Sequence, residues 1–276
     1  MKTSFDEMTQ LCAESIDEVL QLQADIFWGL ENPIIRQMLR DFTPKTAVEI
    51  GVGNAYYLAK LSAKYPKCSF LGVDINKPIL EKAEKWLKKN RVANITLKIA
   101  SFTELGQKNY FDLVFTRLTL QYLPTQVDQY FKKAFQILKP GGILLVFEPA
   151  DYYFQFPPEY PVTKKMFTVL TGFIGVEGRN VSRTFTKRME TAGFVDIEYQ
   201  PCFGHQYNCG ENYFLLLYIW GVFTYKIKPD QFTAEDLARL KAELEKAKTA
   251  KGFMCPTPLL CVKGKKPAVK RARLKI

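Results

Sequence analysis

Glu49-Ile-Gly-Val-Gly-Asn-Ala55 is the stretch of this chain whose residue types and spacing come nearest to chemistry. Glycines at a strand-to-helix turn let backbone approach a ligand closely, and the start of the next helix presents N–H groups to an anion such as a carboxylate. Asp74 closes the next apolar segment, Ser69 to Val73, where a carboxylate is placed to accept from both hydroxyls of a ribose. The two features together describe a site for a nucleoside-bearing ligand. A dinucleotide enzyme competes on the same features, but its fingerprint breaks at Tyr56, which stands where the last small residue belongs.

The elements that must position these groups can be read from the pattern between Thr46 and Glu148. Thr46–Ile50, Ser69–Val73, Ile95–Ile99, Phe111–Phe115 and Ile143–Phe147 read as strands. Between them, residues 54–64, Pro78–Asn90 and Val127–Leu138 read as helices. In the second, Ile79, Ala83, Trp86 and Leu87 share one face, with lysines and glutamates opposite. Lys139-Pro-Gly-Gly142 reads as a helix stop followed by a turn. This serial alternation predicts an α/β, doubly wound, mostly parallel sheet with right-handed crossovers. Beyond Pro149 the rhythm breaks. Ser182–Ala192 reads as a helix, Val195–Tyr199 as a strand, and Thr233–Lys248 as a helix capped by Thr233 with Asp236 in the capping-box position. The apolar stretch 211–226 reads as a buried helix or a strand pair, and Leu259–Val262 as a last strand.

With 276 residues, 47% of them hydrophobic, the chain can bury a sizeable core. The net charge of +11 is concentrated: Lys263, Lys265, Lys266, Lys270, Arg271, Arg273 and Lys275 carry seven of the positive charges, leaving an ordinary +4 elsewhere. A basic tail can touch nucleic acid or an anionic membrane, but a solvated end is favoured. The N-terminus does not read as a signal peptide, and the longest apolar run, Tyr213–Phe223, falls short of a bilayer span, so cytoplasm is the default location. Six cysteines without a CxxC pair suit a reduced compartment. Cys202, His205 and Cys209 lie near one another, but one histidine and two thiols leave a zinc site short of a ligand, and no metal is expected.

Four segments in order carry a resemblance. Val48–Ala55, Phe70-Leu-Gly-Val-Asp74, Tyr110–Pro124, and Phe131–Phe147 with its Leu138-Lys-Pro-Gly-Gly142 turn together resemble the class I, Rossmann-like S-adenosylmethionine-dependent methyltransferases of the small-molecule branch. The resemblance implies a seven-stranded sheet with an antiparallel final strand near Leu259–Val262 and with helical cap insertions. Residues 1–40 would form an N-terminal helical cap, and 41–265 the cofactor-binding domain with insertions at about 151–180 and 204–250; 266–276 would be the basic tail. It further implies that Glu49, Gly51 and Gly53 hold the methionine end of S-adenosylmethionine and Asp74 the ribose. Ile75 would pack on adenine, Ser101 and Phe102 would meet the adenine edge, and Thr116 and Arg117 would lie near the sulfur. Ser101 stands where the family often has an aspartate, so a plain capping role remains open; Phe102 is equally readable as core, and Arg117 as half of an ion pair. Ala55 replaces a frequent third glycine.

The implied reaction is methyl transfer to a small or medium-sized organic acceptor, mainly by alignment. A general base is needed only where the acceptor must lose a proton, and the candidates are Glu148, Tyr152 and His205, with Asp151 and Tyr153 beside them. Two alternatives stay open: a nucleic-acid or protein methyltransferase using the basic tail, and a cofactor-binding sensor without chemistry.

Overall fold

The computed structural model describes residues 13–151, 158–210, 212–249 and 257–268. Along the chain the elements are α1 (Ala13–Met38), β1 (Thr46–Ile50), α2 (Tyr56–Ser62), β2 (Ser69–Asp74), α3 (Lys77–Lys89), β3 (Ile95–Ile99) and β4 (Phe111–Arg117). They continue as α4 (Val127–Ile137), β5 (Leu138–Pro149), α5 (Pro161–Ile174), α6 (Val176–Arg179), α7 (Phe185–Ala192) and β6 (Val195–Gly204). The last are α8 (Gln206–Cys209), α9 (Asn212–Ile227), α10 (Ala234–Thr249) and β7 (Thr257–Lys265).

The strands form one seven-stranded sheet in the order β3-β2-β1-β4-β5-β7-β6. The first five are parallel, and β7 runs antiparallel between β5 and β6. This is the expected doubly wound α/β sheet with its antiparallel final strand. The central strands are almost wholly apolar because helices cover both faces. Leu113, Phe115 and Phe147 face α1, α2 and α3 on one side; Val48, Val114 and Val146 face α4 and α7 on the other. There Phe131 meets Phe185 edge to face at 5.3 Å. Burial of each such ring is worth roughly 1.5–3 kcal/mol.

Local chemistry explains most of the boundaries. Asn76 Oδ1 accepts from the Ile79 amide at 3.1 Å, and Pro78 suits the first turn, so α3 starts where it does. Its Ile79, Ala83 and Leu87 are buried, whereas Trp86 packs half-buried against Tyr56. Gly193, at φ 101°, ends α7 in the left-handed conformation that a glycine tolerates. Thr233 and Asp236 form the expected reciprocal cap of α10.

Two expectations change and one open choice is settled. The Lys139–Gly142 segment is a bulge inside β5: Leu138 already pairs with Phe111, and the register then shifts until Ile143 meets Leu113. The apolar stretch after 211 is a helix, α9, hydrophobic all round because α1, α5 and α10 enclose it. The basic stretch is partly structural. Lys263 and Lys265 belong to β7, with Lys263 paired to Glu198, and Lys266 Nζ is held by the carbonyls of Phe135 and Leu138 at 2.6 and 2.8 Å. Residues 269–276 lie outside the described residues.

Candidate functional site

The carboxyl ends of β1 to β4 open into a cavity of about 320 Å³, within the roughly 300–1,000 Å³ usual for ligand sites. The β1–α2 turn forms its floor. Gly51 (φ 76°) and Gly53 (φ 54°) both lie in the left-handed region. A Cβ on Gly51 would fall 2.2 Å from Thr119 Oγ1, so only glycine fits against the β4 loop. Ala55, at φ 58°, carries the mild strain that a third glycine would relieve.

The amides of this turn are spoken for. Gly51 and Val52 donate to the Val73 carbonyl at 2.8 and 3.1 Å, and Gly53 donates to Asp74 Oδ2 at 2.9 Å. The expected free N–H groups are therefore not offered at residues 51–53. β1 and β2 close on each other there, and the turn is a scaffold for the acids around it. Asp74, with its other oxygen accepting from the Asn76 amide at 2.9 Å, is thus held at the cavity wall.

Glu49 lines the same cavity. Its side chain is buried, and Oε2 has no hydrogen-bond partner. Burial raises its pKa well above the carboxylate range, against the pull of Arg117. Arg117 also lines the wall, but its charge is committed: Nε and one terminal nitrogen donate to Glu31 at 2.9–3.1 Å, and the guanidinium lies 4.5 Å from the Tyr57 ring centroid. Arg117 is thus an ion-pair partner, as one reading had it, and it also lines the cavity.

Ile75, 51% exposed, lines the cavity next to Asp74, as do Ser101 and Phe102. Ser101 also has the capping role left open above, its hydroxyl accepting from the Thr103 amide in a reciprocal box with Glu104. Phe102 also packs into the core, its ring 5.7 Å from that of Tyr130. Thr116 is not on the wall; its hydroxyl donates to the Ile50 carbonyl at 2.6 Å and pins β4 to β1.

The base candidates separate. Glu148 is fully buried behind the wall, where its carboxylate accepts from the amides of Thr119, Leu120 and Gln121 at 2.7–3.2 Å. It shapes the 118–121 loop, which does line the cavity. Burial pushes its pKa to about 7, with those amides opposing. Asp151 is held by Arg179 at 2.7 and 2.8 Å. His205 is away from the cavity: its Nδ1 accepts from the Tyr207 amide and caps α8. Tyr152 and Tyr153 lie outside the described residues. Among the described residues no group of three or more His, Cys, Asp or Glu side chains gathers as metal ligands do. No helix among them is long and apolar enough to cross a membrane.

Sequence reading named the opposite wall by segment, as the helical cap of residues 1–40, 151–180 and 204–250, and not by residue. Leu20 and Phe27 of α1, Phe167 and Leu170 of α5, and Trp220 and Phe223 of α9 line it. Helix α1 is clasped over the glycine turn by Asp17 to Asn54 (2.7 Å), Asp25 to Lys60 (2.7 Å) and Glu31 to Arg117. Leu118, left-handed at φ 55°, is a further wall residue that the sequence did not single out.

Residues 47–142 match the model of a methyltransferase domain family. The chain is 29% identical over 124 residues to a malonyl-[acyl-carrier protein] O-methyltransferase of Priestia megaterium, covering 44% of each. It is 26% identical over 106 residues to a trans-aconitate 2-methyltransferase of Methylobacterium radiotolerans, covering 38% of each. The chain thus spans less than half the length of either curated relative. Among solved structures, it resembles Haemonchus contortus phosphoethanolamine N-methyltransferase 2 in complex with phosphomonomethylethanolamine and S-adenosylhomocysteine. The TM-score is 0.61 at 15% identity, over 97% of this chain and 61% of that one, a likeness of fold.

Proposed function

We propose that this chain, whose fold and matched domain are those of the class I S-adenosylmethionine-dependent methyltransferases, moves a methyl group from S-adenosylmethionine to a small or medium-sized organic acceptor. The observation that carries the reading is Glu49 Oε2, a buried carboxylate oxygen without a partner on the wall of a cavity that Asp74 also lines. A buried acceptor in that state is costly unless a donor arrives, and an amino-acid ammonium is such a donor. Asp74 would accept the ribose hydroxyls. Ile75 and Phe102 would flank the base, with Ser101 at its edge. Gly51 and Gly53 keep the floor low beneath the ligand.

Bound S-adenosylmethionine supplies a methyl group that the acceptor's lone pair takes up as the carbon–sulfur electron pair returns to sulfur. The chain supplies alignment and a dry site. Apolar side chains of α1, α5 and α9 exclude water, and the 118–121 loop, held by Glu148, sets the wall nearest Arg117. Alignment of this kind contributes up to about 7–11 kcal/mol in favourable cases. Glu148 then acts as a positioning residue rather than as a base. The names of two relatives, acting on malonyl-[acyl-carrier protein] and trans-aconitate, support an organic acceptor rather than a nucleic acid. The docking of Lys263 and Lys266 onto the fold points the same way.

The test is calorimetry with S-adenosylhomocysteine. Glu49→Gln keeps the shape but removes the carboxyl group that an arriving ammonium would hold ionised, so affinity should fall about 10- to 100-fold, since a charged hydrogen bond is worth roughly 1.5–3 kcal/mol. Unchanged affinity refutes the assignment. Tight binding with no labelled product from broad metabolite pools would make the chain a binding protein rather than an enzyme.

A further inference from the structure

The cavity has two chemically different sides. Its sheet side carries the acids and the glycine turn. Its helix side is built from Phe27, Phe167, Leu170, Ile174, Trp220 and Phe223. Phe167 and Trp220 meet edge to face with centroids 5.3 Å apart, which gives that side an aromatic corner of one ring face and one ring edge.

Charge decides what this side can take. Among the described residues the cations on the cavity wall are Arg117 and Arg179. Arg117 is held by Glu31 through three contacts of 2.9–3.1 Å. Arg179 is held by both oxygens of Asp151 at 2.7 and 2.8 Å and by Gln121 Oε1 at 3.0 Å. An acceptor bearing a carboxylate or phosphate would have to break one of these sheltered pairs or enter apolar surroundings without a counter-ion. Both routes are unfavourable. An ammonium acceptor is little better served, because Asp151 and Glu31 are equally committed and Glu49 belongs to the cofactor side.

Resting on the methyltransferase reading above, we propose that the acceptor subsite takes an uncharged, ring-bearing apolar molecule, seated against Trp220 and Phe167. This differs from the acids named for two of the relatives. Such a molecule gains from apolar burial and ring contact and disturbs neither arginine pair.

The experiment uses a matched pair of probes, 2-naphthol and 2-naphthoate, titrated by calorimetry into the full chain saturated with S-adenosylhomocysteine. The rings are the same; the charge differs. We expect 2-naphthol to bind and 2-naphthoate to bind at least tenfold more weakly. Trp220→Ala should weaken 2-naphthol about tenfold, Trp220→Phe less, and neither should change S-adenosylhomocysteine affinity. Equal or tighter binding of the carboxylate overturns the proposal, as does absent 2-naphthol binding or indifference to Trp220→Ala. In each of these cases intact S-adenosylhomocysteine binding leaves the cofactor reading standing. Failure of S-adenosylhomocysteine itself to bind removes both.

Discussion

Removing the carboxylate of Glu31 tests whether α1 is locked to the sheet by its buried ion pair. The glutamate is 0% exposed and Arg117 is 9% exposed, and three hydrogen bonds of 2.9–3.1 Å join them. Glu31→Gln strips the largely buried arginine of its counter-ion. Breaking a buried pair from one side costs about 3–5 kcal/mol, because the remaining charge stays uncompensated. At roughly 2–4 °C per kcal/mol for a large domain, Tm should fall by about 6–20 °C. Arg117 and Glu49 both line the cavity, so a disturbed arginine should lower S-adenosylhomocysteine affinity as well. In the double variant Glu31→Gln/Arg117→Met no charge is stranded, and the methionine can pack on the Tyr57 ring. Most of the stability should return. Circular dichroism melts and urea titrations of the wild type, both single variants and the double variant give the coupling directly. Wild-type stability in Glu31→Gln, or a double variant no better than the single, would refute the reasoning.

Asp74→Ala should weaken S-adenosylhomocysteine by more than about a hundredfold, since two charged hydrogen bonds worth roughly 1.5–3 kcal/mol each would be lost; native affinity in a folded variant sinks the assignment. Glu148 is ordinary at 4.5 when unfolded and about 7 when folded, so its contribution is full below pH 4.5 and is lost as pH rises through 7. Glu148→Gln should therefore flatten a pH-dependent difference of about 3 kcal/mol between those limits, and denaturant titrations across the range that remain parallel would count against its buried placement. His205→Ala should leave labelled-methyl transfer within a factor of about two, because the imidazole caps α8 away from the cavity; a large loss of kcat would return it to the candidate bases.

The sheet was legible in the sequence because its signals are local. Apolar runs the length of a strand, each closed by a glycine, an acid or a turn, identify buried parallel strands, and the strand ends then locate the ligand edge. Glu49, Gly51, Gly53 and Asp74 were singled out at such strand ends, and all four line the cavity. What sequence could not give was direction. Glu148 stands at a strand end, as a base would, but its side chain points behind the wall and collects three amides from a loop 27–29 residues earlier. Thr116 fails as a ligand contact for a similar reason, its hydroxyl being used by the Ile50 carbonyl. The helix wall was hidden differently. Leu20, Phe167 and Trp220 read as buried apolar positions, and periodicity cannot say whether burial is against protein or against a cavity. Lys266 had looked like the start of a solvated tail, whereas its ammonium satisfies carbonyls exposed by the end of α4 and the bulge in β5.

The placement of β7 has a consequence for how this architecture can vary. Strand β6 has β7 as its partner, and the chain between them leaves the sheet at Gly204, builds α8, α9 and α10, and returns at Thr257 to pair with the residue it left. The helix that contributes Trp220 and Phe223 thus belongs to an excursion whose two ends are tied together by one ladder. The entropy of closing such an excursion grows only logarithmically with its length, about 0.6 kcal/mol per doubling. Insertions, deletions and changes of side chain can therefore accumulate between Gly204 and Thr257 at little cost to the sheet, while Glu49 and Asp74 lie on strands this excursion does not interrupt. The Trp220 and Phe223 part of the cavity wall is thereby free to drift toward new partners while the sheet side stays in register.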